Sequence, residues 1–151
     1  MRSDILGKVA VDLLSIPPLI FRIIRRKLMT ATLADTDVDI KLLHFEIMRV
    51  LKEEGTLHVA EIGERLRIAK AQMTHLIEKL VELNLVAREM NSADRRTLNI
   101  TLTDKGRTVL EEQDTFIINA VRENMSSLTI AELEALSHSL RVLRDTLSKL
   151  Q

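Results

Sequence analysis

The apolar residues of this chain change their period once. From Asp4 to Leu83, and again from Thr103 to Leu150, they recur every three or four positions, the spacing of a helix packed on one face. Between Leu85 and Leu102 the period drops to two. Leu98, Ile100 and Leu102 alternate with Thr97, Asn99 and Thr101, the pattern of a half-buried strand. Leu85 to Met90 is a second short run of this kind, and the polar stretch Asn91 to Arg96 joins the two. This predicts one β-hairpin with a basic tip inside an otherwise helical protein. Four glycines and two prolines in 151 residues agree, because tight turns are then few.

The helices can be placed in turn. Residues 4–15 read as a short amphipathic helix with Ile5, Val9, Leu13 and Ile16 near one face. Pro17 and Pro18 are expected to break or restart it. A second helix runs from Pro17 to about Leu33, with Leu19, Ile23, Ile24 and Leu28 inward and Arg22, Arg25, Arg26 and Lys27 outward or at the border. Asp35 to Asp37 interrupts the pattern. Ile40, Leu43, Ile47, Val50 and Leu51 mark the next helix, which Gly55 can stop in the left-handed position. A short helix at Ala60 to Leu66 and a longer one from about Ala69 to Leu83 are joined by Arg67 and Ile68, as in a helix-turn-helix. Gly63, lacking a side chain, lets the two cross closely. Thr103 caps a long helix carrying Val109, Leu110, Phe116, Ile117 and Val121 on its apolar side. Thr129 and Glu132 form a capping box for the last helix, whose stripe Leu133, Leu136, Leu140, Leu143, Leu147 and Leu150 is a packing seam.

Composition removes several classes of function. The chain has no cysteine, which excludes thiolate metal sites, a cysteine nucleophile and thiol redox sensing. Three Phe with no Tyr or Trp is poor equipment for stacking single-stranded bases. No apolar stretch is long enough to span a bilayer. Asp4 and Asp12 interrupt the N-terminus as a secretory signal, so a soluble, cytoplasmic protein with no membrane partner is expected. His44, His58, His75 and His138 have no metal-ligand spacing, and no metal or cofactor is expected. Phosphate-cradling glycine loops and nucleophile motifs are absent. Glu53-Glu54 and Glu111-Glu112 are sequence neighbours that do not face each other on a helix, so no catalytic residue is assigned. The basic residues 22–27 resemble a membrane-surface helix in charge, but Phe21 is the only aromatic beside them.

A helix-turn-helix followed at once by a two-stranded hairpin is a winged helix. In such a unit one helix enters the major groove, where base edges differ, and the wing reaches the adjacent minor groove with basic side chains. On a wheel of the longer helix, Met73, Leu76, Ile77 and Leu80 form the core side. The opposite side centres on Ala71, Thr74, His75 and Glu78, with Lys70, Gln72 and Lys79 at its margins. Lys70, Gln72, Thr74 and His75 can hydrogen-bond bases or phosphates, and Ala71 allows close approach. A solvated helix face would show the same polarity. The hairpin tip tips the balance: Arg95 and Arg96 are adjacent on a loop, where charge has no packing purpose, and Asp94 can hold one of them in a fixed direction.

Asp94, Arg96, Leu102, Thr103 and Gly106 match the wing signature D-x-R-x5-L-T-x-x-G of the multiple-antibiotic-resistance regulator (MarR) family. The upstream segment LHVAEIGERLRIAKAQMTHLIEKLVELNLVARE resembles that family's helix-turn-helix in register with the wing. The resemblance covers Asp39 to Gly106. It implies a dimeric, DNA-binding transcription regulator, commonly a repressor, whose first and last helices interlock between subunits. It places DNA contacts on Lys70, Ala71, Gln72, Thr74 and His75, the wing arginine on Arg96 and its orienting partner on Asp94. A small anionic or phenolic effector is also implied. The chain departs from the pattern at His58, where Ser or Thr usually caps a helix, at Arg67, where glycine is common, and at His75, where a permanently basic residue is frequent.

The expected fold is therefore mainly α with a small β-hairpin wing. One domain, residues 1–151, carries a winged helix-turn-helix lobe at 35–106, flanked by dimerisation helices at 1–34 and 107–151. The expected partners are double-stranded DNA and a second copy of the chain. The expected DNA-binding residues are Lys70, Ala71, Gln72, Thr74, His75, Lys79, Arg95 and Arg96. The alternative is a dimeric helical module that uses its winged helix for protein contacts. The formal net charge of zero fits either, because the positive groups are concentrated: residues 1–30 carry six basic and two acidic side chains.

Overall fold

A computed structural model describes residues 1–25, 42–90, 93 and 96–150 in full and residues 26–34 as backbone. In chain order the elements are α1 (Arg2–Ala34), α2 (Leu42–Glu54), β1 (Leu57–His58), α3 (Val59–Leu66), α4 (Lys70–Glu82), β2 (Val86–Met90), β3 (Leu98–Leu102), α5 (Asp104–Asn124) and α6 (Ile130–Leu147). A single 3-10 turn at Ser148–Leu150 follows α6. The chain forms two compact units, one of residues 1–32 with 117–151 and one of residues 33–116.

The second unit holds the core. Ile47, Met48 and Leu51 of α2, Ile62 of α3, and Met73, Ile77 and Leu80 of α4 are buried together with Leu85, Val86, Ile100 and Leu110. The sheet order is β1-β3-β2, antiparallel throughout, with Leu57 opposite Ile100 and Val86 opposite Leu102. β1 was not expected from the sequence, because two residues are too few to show an alternation. Its Leu57 lies on the apolar core and its His58 opens α3 directly. The Glu61 carboxylate accepts the His58 backbone N–H at 3.1 Å, so the helix start is fixed from its third residue rather than by the imidazole.

Two glycines act by what they lack. A Cβ on Gly63 would meet the Ile68 carbonyl oxygen and Met73 Cγ, each at 3.2 Å, so its absence lets α3 and the turn into α4 lie against each other. Gly106 sits tighter still, against the Leu85 carbonyl and the Leu102 side chain. Thr103 ties the same junction. Its hydroxyl donates to the Asn84 and Leu85 carbonyls at 2.7 and 3.0 Å and accepts the Gly106 N–H at 2.9 Å. The Leu-Thr-x-x-Gly part of the wing signature is thus the hinge pin that sets α5 on the wing.

Arg49 of α2 and Asp114 of α5 form a two-pronged ion pair at 2.8 and 3.2 Å, with Lys52 and Glu111 3.8 Å apart one turn along. The carboxylate raises the Arg49 pKa above its already high ordinary value, mainly by hydrogen bonding, and partial burial opposes it. The pair spans 65 positions of sequence, which is why no local pattern announced it.

In the other unit, α1 is one continuous helix through Pro17 and Pro18, not two helices meeting there. Proline holds φ near the helical value, so a helix can continue through it. What is lost is the two N–H donors that would reach the carbonyls of Leu13 and Leu14. The break expected at Asp35 to Asp37 and the expected place of Ile40 in the next helix lie outside the described residues. α6 begins in the expected capping box: Glu132 accepts the Thr129 N–H at 2.8 Å, and Thr129 accepts the Glu132 N–H at 3.2 Å. Hydrogen bonding from the Thr129 backbone N–H, and second from its side chain, holds the Glu132 carboxyl below the usual glutamate range. None of the residues of α6 is buried. Of its stripe, Leu133, Leu140 and Leu147 are 38%, 48% and 37% exposed.

Candidate nucleic-acid interface

α4 divides sharply. Met73, Leu76, Ile77 and Leu80 are buried. Lys70, Ala71, Gln72, Thr74, His75 and Glu78 are exposed. The 100° advance per residue creates this split: apolar residues at positions 73, 76, 77 and 80 pin one side to the core, and the other side must then face outward. With Glu82 the exposed side chains are seven, neutral or basic from Lys70 to His75 and acidic at Glu78 and Glu82. Thr74 turns its hydroxyl back to the Lys70 carbonyl at 3.2 Å. Lys79 is half-buried, and its ammonium lies 4.0 Å from Glu82. It is therefore engaged within the helix, unlike Lys70.

α4 is held rigidly from behind. Its start follows the closely packed turn after Gly63, and its end runs into Asn84, whose φ of 64° reverses the chain into β2. The Leu85 N–H returns to the Leu80 carbonyl at 2.9 Å, and Lys105 of α5 reaches the Leu83 carbonyl at 3.0 Å. Helix and wing are thus tied through the link Leu83–Leu85.

The wing is the β2–β3 hairpin, paired from Val86↔Leu102 to Met90↔Leu98. Val86 and Ile100 anchor its base in the core. Arg88, Met90 and Leu98 share that face further out and are exposed. Alternation puts Leu98 on the apolar face with Ile100 and Leu102. It does lie there, but beyond the end of the core. Arg96 is exposed at the tip of the hairpin. Asp94 and Arg95, the other two tip residues named from the sequence, lie outside the described residues. Arg88 is an exposed cation on the wing that the sequence reading passed over, although its alternation with Ala87 and Glu89 could have singled it out. Among the described residues no group of three or more His, Asp or Glu is arranged to hold a metal ion, and no helix is long and apolar enough to cross a membrane.

A helix-turn-helix whose outer face is polar, followed by a three-stranded sheet drawn out into a wing, defines a winged-helix protein. The MarR family model matches residues 38–97, a segment that contains α2, β1, α3, α4 and β2. The HTH-type transcriptional repressor MdtR of Bacillus subtilis is 38% identical over 66 residues, 44% of this chain and 43% of that protein. A MarR family protein from Bacillus stearothermophilus superposes with a TM-score of 0.74 over 98% of this chain and 99% of that one, at 22% identity. Bordetella bronchiseptica BpsR, whose DNA binding is regulated by 6-hydroxynicotinic acid, matches at a TM-score of 0.56 and 25% identity, over 86% of this chain and 93% of that one. Residues 38–97 of the chain match the MarR family, and the chain shares the fold of MarR family structures. It spans about half the length of the curated relatives it matches.

Proposed function

We propose that the protein is a transcription regulator that binds double-stranded DNA in a sequence-specific manner. In this reading it is a homodimeric, ligand-responsive repressor on a pseudo-palindromic operator, and not an enzyme. The observation that carries the reading is the divided α4: a helix clamped on its apolar side that offers Lys70, Ala71, Gln72, Thr74 and His75 together on its free side. Those side chains suit major-groove edges. Glu78 and Glu82 disfavour phosphates at the far end, so the helix enters N-terminus first. Lys79 lies on the flank. Arg95 and Arg96 at the wing tip take the minor groove, with Asp94 orienting the arginine.

Two supports favour a dimer formed by helices in 1–34 and 107–151, with 35–106 as the DNA-binding lobe. α1 exposes Ile5, Leu6, Val9, Leu14 and Phe21, and α6 exposes Leu133, Leu140 and Leu147. Apolar area on this scale marks a surface meant to be covered. The regulation of BpsR by 6-hydroxynicotinic acid supports a small anionic or phenolic effector here. Such a ligand acts by binding one spacing of the two lobes better than another. The protein works where its DNA is, in the cytoplasm.

The test is selection of bound duplexes from a randomised pool, with sedimentation of the free protein. The reading expects a dimer and an enriched site with two half-sites about one helical turn apart. A dimer that enriches no sequence would instead support a winged helix used for protein contacts.

A further inference from the structure

Three described residues outside regular geometry have left-handed backbone: Gly55 at φ 82°, Asn84 at φ 64° and Arg67 at φ 52°. Glycine and asparagine enter this region readily. Arginine does so only against a steric penalty. Arg67 closes α3 with ψ 46°, its N–H bonded to the Glu64 carbonyl, and the Ile68 N–H returns to the Gly63 carbonyl at 2.9 Å. That double closure is a helix end that calls for a left-handed residue, and glycine would supply it without strain.

The side chain is therefore the reason to look for. Arg67 is exposed, and its guanidinium takes part in no ion pair or hydrogen bond among the described residues. Arg65, two positions earlier, is by contrast paired with Glu54. Ile68 is half-buried while Ala69 and Lys70 are exposed. Arg67 thus lies on the outer side of the turn that leads into α4, beside the end of the helix that presents Lys70, Ala71 and Gln72.

We propose that Arg67 binds a DNA backbone phosphate, as a contact additional to the α4 face and the wing tip. The inference rests on the DNA-binding reading above. A guanidinium forks onto two phosphate oxygens, and such a contact fixes the register of the helix without reading bases. The backbone strain at this position is accepted in return for a cation where α4 meets the groove.

The experiment measures affinity of the whole protein for a mixed-sequence DNA duplex across salt from about 50 to 200 mM, with melting temperatures in parallel. Arg67→Gln keeps the strained side-chain-bearing backbone and removes the charge. It should flatten the log–log salt slope by about 0.9 for each bound subunit. At about 0.15 M salt it should weaken binding about fivefold per subunit, the effect of one counterion no longer released. Arg67→Lys should retain the wild-type slope. Arg67→Gly should flatten the slope like Arg67→Gln while its melting temperature stays level or rises. Wild-type slope and affinity in Arg67→Gln would overturn the inference. So would a fall of several degrees in the melting temperature of Arg67→Gly, since the arginine would then serve the fold. A wild-type protein without salt-dependent duplex binding would instead remove the DNA-binding reading beneath it.

Discussion

Gly106→Ala should damage the protein although alanine is the better helix former. Gly106 is the third residue of α5, and in an open helix the change gains up to about 1 kcal/mol. Here the new Cβ would overlap the Leu85 carbonyl oxygen outright and come within 2.7 Å of Leu102 Cδ1 and 3.0 Å of the Leu85 carbonyl carbon. The carbonyl cannot retreat freely, because it accepts the Thr103 N–H at 3.1 Å and the Thr103 hydroxyl at 3.0 Å. Breaking those two bonds costs about 1 kcal/mol each, and overpacking adds about 1–3 kcal/mol. Set against the helical gain, the net loss is about 2–4 kcal/mol. At roughly 2–4 °C per kcal/mol for a chain of this size, the melting temperature should fall by about 4–16 °C. Gly7→Ala supplies the control. It is also within a helix, but a Cβ there meets nothing within 4 Å, so that variant should melt at or slightly above wild type. Thermal unfolding by circular dichroism at matched protein concentration reads both, since dimer dissociation makes melting concentration-dependent. A Gly106→Ala protein as stable as wild type would refute the claim that close approach of β2 and α5 requires this glycine.

Three further outcomes can be checked. Arg49→Gln should cost about 1 kcal/mol in urea unfolding, a value limited by the partial exposure of both partners, and Asp114→Asn should add little once Arg49 is gone. The Glu132 carboxyl, held low by its bonds to Thr129, should titrate below the ordinary glutamate value by NMR. Its stabilising effect on the α6 start is present above the unfolded pKa and is lost as pH falls through the lower folded one. Thr129→Ala keeps the backbone N–H bond, the larger cause, and removes the hydroxyl, so it should move that titration only part of the way up and cost the helix cap about 1 kcal/mol. Arg96→Ala should leave the melting temperature within about 1 °C of wild type and weaken operator binding roughly tenfold with a flatter salt slope.

The parts of the fold visible in the sequence are those written in local spacing. The change of period located the wing, the wheel of residues 70–83 separated Met73, Leu76, Ile77 and Leu80 from the outer face, and Thr129 with Glu132 announced the start of α6. What stayed hidden depends on distant partners or on brevity. β1 has two residues and exists because Leu57 and His58 meet β3 more than forty positions later. The Arg49–Asp114 pair has no local signature. Pro17 and Pro18 read as a break, because local rules weigh the missing N–H groups and not the compatible φ. Gly106 was matched as part of a signature. Its reason, the Leu85 carbonyl, appears only in three dimensions. For the candidate interface, the face of α4 was legible residue by residue. The left-handed backbone under Arg67 was not, since backbone sign is a property of the folded chain.

The central claim is that the outer face of α4 reads bases. It is tested most directly by repeating the duplex selection with His75→Ala. His75 is exposed midway along that face, so removing its imidazole should change the preferred base at one position of each half-site and leave the other positions and the salt slope as they are. Uniform weakening across all sequences, or an unchanged site, would contradict base reading by this helix.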